Sequence, residues 1–274
     1  MRIKDIDRRV IFLLLILGIL LPVIFPLTLP GLKVTQSIKE VFDFIEALDQ
    51  RSPILISFDF DPGSKPELEP MAISLLKHAF QRDLRVIAVT LWVTGIDLTA
   101  KILGSVADEL GKEYGKDYVF LGWRPGEYAP IVSMGGKGFK ETFEKDFYRY
   151  DLEKLEVMQG VGFLKDIRYA ISISAGYPGI EEWIRFGSDV YGFPLGGGCT
   201  AVQEPRMRAY LQSGQLTGLI GAMKGAAVYE KLMQEYGIAA RGMDAISLGH
   251  FLIILFILVG NILYWRTRAK GRAR

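Results

Sequence analysis

The run PILISFDFDPGSKPELEP, Pro53 to Pro70, decides the fold of this chain. Ile54 to Phe58 is short and continuously apolar except for Ser57, which reads as a strand buried on both faces. Asp61-Pro62-Gly63-Ser64 is turn chemistry, because Gly frees the backbone and Asp accepts hydrogen bonds from its own turn. Pro66 fits an early helical position, and Met71, Leu75, Leu76 and Phe80 follow at helical spacing. Strand, turn and helix in this order open a βαβ unit.

The alternation continues outward. Upstream, Ile38, Val41, Phe42, Ile45 and Leu48 form one helical face, with Lys39, Glu40, Asp43, Glu46 and Asp49 opposite. Downstream, RVIAVTL (Arg85–Leu91) reads as a second buried strand and Asp97–Tyr114 as a helix. Tyr118–Leu121 and RYAISIS (Arg168–Ser174) read as the third and fourth strands. Gly179–Val190 is expected to be helical and Gly192–Gly196 a weak fifth strand. From Pro205 a helical region is expected to run to about Tyr236, with a break at Ser213–Gly214. Trp123–Lys165, rich in Gly, aromatic and charged residues, reads as an insertion of short elements. The pattern predicts an α/β fold: a doubly wound, mostly parallel sheet of about five strands, Rossmann-like or flavodoxin-like.

Two apolar stretches flank this domain. VIFLLLILGILLPVIFPLTL (Val10–Leu29) follows Arg2, Lys4, Arg8 and Arg9; ISLGHFLIILFILVGNILYW (Ile246–Trp265) precedes Arg266, Arg268, Lys270, Arg272 and Arg274. About 20 helical residues cross a hydrocarbon core of about 30 Å. Neither stretch contains Asp, Glu, Lys or Arg. Basic flanks resist translocation, so both tails are expected in the cytoplasm of a two-span protein of the cell membrane. The division is then a tail over 1–9, a transmembrane helix over 10–30, an extracytoplasmic domain over 31–245, a second transmembrane helix over 246–265 and a basic tail over 266–274. A cleaved signal peptide is the alternative for the first stretch, but PLTLP at 26–30 offers no small-x-small cleavage site. Pro22 and Pro26 are expected to bend or end its outer part.

The whole chain carries a formal charge of +2. The N-terminal tail holds +2 and the C-terminal tail +5, leaving −5 between them. An acidic outer domain argues against nucleic acid as a partner, since phosphate binding needs a basic surface. The expected partners are the lipid bilayer, through two helices, and a second copy of the chain or another membrane protein. Cys199 is the single cysteine, so no internal disulfide or thiolate metal cluster can form. The residues identify no particular cofactor.

Ligands of such sheets bind beyond the carboxyl ends of the strands. That rule nominates Asp59, Asp61 and Ser64 after the first strand and Thr90, with Trp92 and Thr94, after the second. Trp123 and Arg124 follow the third, Ser174 and Gly176 the fourth, and Gly197, Gly198 and Thr200 the fifth. Asp59 and Asp61, straddling a strand end, could hold a hard cation or divide nucleophile and acid roles. The run ISFDFDPGS resembles the first motif of haloacid-dehalogenase-type phosphatases, which implies Asp59 as nucleophile, Asp61 as acid/base and Thr90 as the later strand-end threonine. The acidic pair that holds magnesium in that pattern has no match, since Ser172, Ser174, Ala175 and Gly176 stand there. A turn or ligand loop is therefore the stronger reading of this pair. Gly197 and Gly198 before Thr200 fit either an anion cradle or a flexible strand-to-helix loop. Gly214, Gly218, Gly221 and Gly225, in steps of four, three and four, fit one face of a helix in close backbone contact with another element. His78 reads as a surface or boundary residue and His250 belongs to the second span, so a His-based zinc site or a Ser-His-Asp triad is not expected.

The stretch TAVQEPRMRAYLQSGQLTGLIGAMKGAAVYE (Thr200–Glu230), with FDFDPGSKPELEPMA (Phe58–Ala72), resembles a family of prokaryotic membrane proteins with one extracytoplasmic α/β domain between two transmembrane helices. The resemblance covers most of 53–236 and implies no activity. The functional expectation is a ligand- or partner-binding module, serving as an accessory subunit of a membrane assembly. The alternative is a metal-dependent phosphate-ester or related hydrolase using Asp59 and Asp61.

Overall fold

The computed structural model describes residues 8–25, 27 and 33–272, with side chains to 265. Expectations for 1–7, 26, 28–32 and 273–274 lie outside the described residues. The chain divides into two compact units, one of residues 32–239 and one of 1–31 with 240–274.

The larger unit is a six-stranded, all-parallel sheet with the spatial order β3-β2-β1-β4-β5-β6. Its strands are β1 (Pro53–Asp59), β2 (Arg85–Val89), β3 (Tyr118–Phe120), β4 (Tyr169–Ser174), β5 (Leu195–Cys199) and β6 (Gly218–Gly221). β1 lies between β2 and β4, pairing Ile56 with Ala88 on one side and with Ile171 on the other. Every residue of β1 and β4 is buried, as continuous apolar strands between two helical layers must be. The order reverses between β1 and β4, which makes this the Rossmann arrangement and not the flavodoxin-like one.

Several helices match their expected places. α2 covers Gln36–Glu46, α3 Lys65–Gln81 and α4 Ile96–Leu110. The segment after β3 holds only short elements, among them α5 (Ala129–Gly136) and α6 (Phe139–Phe143). Between β4 and β5, α7 (Ile180–Trp183) runs through one π-helical turn into α8 (Asp189–Tyr191).

The second half of the chain departs most from expectation. The fifth strand lies at Leu195–Cys199, not 192–196, and a sixth strand occupies 218–221 within the stretch expected to be helical. That stretch is α9 (Glu204–Gln212), β6 and α10 (Ala222–Leu232). The four glycines therefore do not share a helix face. Gly214 takes a positive φ of 78° in the turn after α9, Gly218 and Gly221 bound β6, and Gly225 lies in α10. Close approach by another element explains Gly218 but not Gly214, where a Cβ would meet nothing within 4 Å. A Cβ on Gly218 would lie 2.6 Å from Val41 Cγ2 and 2.7 Å from the Ser37 carbonyl, so its absence seats α2 on the outer strand. With no helical run of apolar residues to mark it, a four-residue strand of Gly-Leu-Ile-Gly is hidden by helical neighbours.

His78 is also placed differently: it is buried, not at the surface. Its ring stacks on Phe42, Nε2 lies 2.9 Å from Glu46 Oε1, and Nδ1 lies 2.6 Å from the Tyr229 hydroxyl. The pairing ties α2, α3 and α10 together. Burial pushes the His78 ring below its usual range, so the neutral ring donates to Glu46 and accepts from Tyr229.

Within this unit, both chain ends leave at the amino edge of the sheet. α2 starts beside Gly218, the first residue of β6. At the other end, Glu235 meets Gln81 at the last residue of α3, with Nε2 to Oε1 at 3.3 Å. The carboxyl edge lies opposite.

The smaller unit holds α1 (Arg8–Ile24) and most of α11 (Ile238–Arg272). Among the described residues one helix, over Ile238–Trp265, is long and apolar enough to cross a membrane. Two such helices were expected. α1 is 17 residues long and ends at Ile24, two residues beyond Pro22, short of the expected span over 10–30. Gly18 of α1 packs against Leu252 and Leu248 of α11, and Gly249 faces Ile19. Large apolar side chains including Phe12, Ile16, Leu20, Phe251, Ile254 and Leu258 are exposed on the two helices.

Candidate functional site

Asp59 ends β1 at the point where the strand order reverses, the usual ligand position of this topology. It is fully buried. Oδ1 accepts from Ser57 Oγ at 2.7 Å and from the Leu91 amide at 2.8 Å. Oδ2 accepts from Ser172 Oγ at 3.1 Å and Trp183 Nε1 at 3.3 Å. Burial pushes the carboxyl up to about 7, while the Leu91 amide, the two hydroxyls and the indole pull it back. The four donors come from β1, the end of β2, β4 and α7, so this side chain ties together the loops and strands around the crevice.

Asp61 does something different. Its Oδ1 accepts from the Ser64 amide at 3.1 Å and from Ser64 Oγ at 3.2 Å, closing the Asp-Pro-Gly-Ser turn before α3. The two carboxylates thus do not converge. Thr90 is buried, donating to the Phe58 carbonyl at 2.7 Å and accepting from the Trp92 amide at 3.0 Å. Ser174 closes its own turn, donating to the Gly176 carbonyl at 2.8 Å. Gly197 and Gly198 lie inside β5 and form no loop cradle: Leu219 and Ile180 crowd the first, and Met71 the second. Side-chain packing, not an anion, explains their missing Cβ atoms. Thr200 starts the loop to α9, where its carbonyl accepts from the Gln203 and Glu204 amides, each at 3.1 Å.

The crevice above Asp59 is roofed. Trp92 Nε1 donates to the Pro178 carbonyl at 2.7 Å, carrying the indole from the loop after β2 to the loop after β4, across the end of β1. A Cβ on Gly176 would lie 3.5 Å from the Trp92 ring and 3.5 Å from Gln203 Nε2, so Gly176 lets the roof close. Cys199, beneath the neighbouring loop, is buried, and burial pushes its thiol up to about 12. It is a packing residue rather than a nucleophile. Among the described residues, no group of three or more His, Cys, Asp or Glu is placed to hold a metal ion.

A second opening lies on the same edge, one strand pair outward. A cavity of about 280 Å³ is lined by Ile96, Leu121 to Arg124, and Phe143 to Phe147 with Arg149. Its inner wall is the chain leaving β3, and its outer wall is the insertion. The Phe147 amide donates to the Phe120 carbonyl at 2.9 Å, so the insertion covers the otherwise open edge of β3. Arg124 stacks over Phe143 and donates to the carbonyls of Thr142, Trp123 and Phe143. Arg124 and Trp123 were legible as strand-end residues. Lys145 and Arg149 were not, because nothing in FEKDFYRYD (Phe143–Asp151) shows that it folds back onto β3. The density of Arg, Lys and aromatic residues there is the one available signal.

No known family model matches the chain, and no curated protein sequence matches it. Among solved structures, trehalose-6-phosphate synthase OtsA is similar at 10% identity and a TM-score of 0.31, over 92% of this chain and 48% of that one. The chain spans about half the length of that enzyme. A likeness at this level carries no argument about activity.

Proposed function

We propose that this chain is a membrane-anchored α/β module that binds a ligand or partner through the carboxyl edge of its sheet, as an accessory subunit of a membrane assembly. The observation that carries this reading is the state of Asp59. The acid that chemistry at the switch point would use is sealed by four donors under a tryptophan roof, while a cavity stands open farther along the same edge. A metal-dependent hydrolase would need Asp59 and Asp61 free to meet a cation and a substrate. One is enclosed and the other closes a turn.

Membrane attachment is supported by the apolar helix over Ile238–Trp265 and by the exposed apolar side chains of α1, a surface that water does not tolerate. In this reading α1 and α11 both span, packed at Gly18 and Gly249, with both termini cytoplasmic and the sheet domain extracytoplasmic. A second copy or another membrane protein is the expected neighbour.

Two measurements test the proposal. Val202 is highly exposed, so Val202→Cys in intact cells should react with a membrane-impermeant maleimide. Labelling only after lysis would refute the topology. Cross-linking in native membranes should trap a complex, and purified protein with magnesium should not turn over a generic phosphate ester. Turnover that Asp59→Asn abolishes would replace this reading with the hydrolase.

A further inference from the structure

We infer that the cavity beyond β3 is a binding site for a small organic anion, a phosphate or carboxylate on an apolar body about one ring in size. The inference rests on the binding-module reading above and assigns its ligand class. Three cationic side chains, Arg124, Lys145 and Arg149, line the cavity. Arg124 is hydrogen-bonded to neutral carbonyls alone, so no acid cancels its charge. The Arg149 guanidinium has no hydrogen-bonded or ion-pair partner among the described residues. Lys145 shares Asp151 at 3.5 Å, with Lys154 closer to the same carboxylate at 2.8 Å.

Two acids also line the cavity. Asp146 is buried and committed: Oδ2 accepts from the Tyr114 hydroxyl at 2.6 Å and Oδ1 from the Tyr150 amide at 2.8 Å. Glu144 is exposed, as are Lys145 and Arg149, while Arg124 is half-buried. Three cations against two acids, one of them committed, leave an excess of positive charge around the opening, and the half-buried Trp123 and Phe147 supply an apolar face beside it. Such a pairing of planar donors with aromatic surface recognises a carboxylate or phosphate joined to a ring.

The loop that presents these charges is held under strain. Glu144 and Arg149 take positive φ values of 48° and 72°, a region that non-glycine residues rarely enter. Asp146 fixes the loop between them, through Tyr114 on one side and the Tyr150 backbone on the other. Strained backbone held by its surroundings is a recurrent property of ligand sites. Arg149 is itself exposed, so water meets its guanidinium until an anion takes that place.

The full chain in detergent, titrated calorimetrically with phenyl phosphate, benzoate and inorganic phosphate, tests this. Phenyl phosphate should bind more tightly than inorganic phosphate, because only it uses the aromatic wall. Benzoate binding as tightly as phenyl phosphate assigns the carboxylate class, and weaker binding the phosphate class; both support an anion site. Arg149→Gln should weaken binding of the tighter ligand about tenfold or more. The same variant should leave the melting temperature of the free protein unchanged, since the Arg149 guanidinium has no partner among the described residues. Trp123→Leu should remove the advantage of phenyl phosphate over inorganic phosphate. Unchanged binding in Arg149→Gln would overturn this site while leaving a ligand-binding module intact. No binding of any probe, with a protein partner trapped by cross-linking, would overturn the small-anion inference and leave partner binding. Neither binding nor a trapped partner would overturn both.

Discussion

The β1–β4 crevice and the cavity beyond β3 lie on one edge of one sheet, yet they are built in opposite ways. At the crevice the protein supplies both the acid and its partners: Asp59 meets four donors, and Trp92 closes the space above. At the cavity it supplies cations, and the Arg149 guanidinium meets no acceptor among the described residues. A buried acid must have its lone pairs met within the fold, whereas an exposed cation is met by water until an anion displaces it. The first site is therefore closed on itself, and the second is left to solvent or a visitor. The general lesson is that topology nominates an edge, and hydrogen-bond accounting decides which part of the edge is vacant.

The comparison can be broken most severely at Asp59. Asp59→Ala leaves four buried donors without an acceptor and opens a cavity, so unfolding followed by tryptophan fluorescence should show a loss on the order of 5 kcal/mol. A loss below about 1 kcal/mol would mean that the crevice is solvated rather than sealed.

The next largest effect is pH dependence. In the unfolded chain the carboxyl titrates near 3.8, and in the folded protein near about 7. Between those values the folded state holds more protons, so Asp59 makes stability fall as pH rises from about 4 to 7, by up to about 4 kcal/mol, with no further loss above. Asp59→Asn should flatten that window in denaturation curves measured across pH. A wild-type profile that rises through the same window, with no difference in the variant, would show that the four donors outweigh burial.

Trp92→Ala removes a half-buried indole and its bond to Pro178, and should cost about 2 kcal/mol while making Asp59 reachable by solvent. Hydrogen exchange at the Leu91 amide should accelerate along with it. The smallest effect on stability is expected at the open site: Arg149→Gln should change unfolding by less than about 0.5 kcal/mol, although it abolishes most anion binding. A large stability loss there would make Arg149 a structural residue and erase the contrast.

Much of the parallel sheet was legible because buried strands announce themselves as apolar runs. ILISF and YAISI could be placed as buried strands of a doubly wound sheet from composition and spacing, but not paired with each other. β6 could not. Gly218 and Gly221 bear no side chain that reports a strand period, and α9 and α10 supply helical spacing on either side. Asp61 as a turn residue was legible, since its partner Ser64 is three residues away. Asp59 as a strut was not, because Ser172 and Trp183 lie more than a hundred residues distant. His78 was misplaced for the same reason, its partners Glu46 and Tyr229 coming from two other helices.

The sequence by itself determined the α/β class, the acidic domain between apolar ends and the Asp-Pro-Gly-Ser turn, because each depends on neighbouring residues and on charge counted along the chain. The tertiary structure alone decided the Rossmann strand order, the sealing of Asp59 and the vacancy beside Arg149. Whether a buried charge is satisfied depends on donors and acceptors brought together across the fold, and no local pattern records which of them will meet.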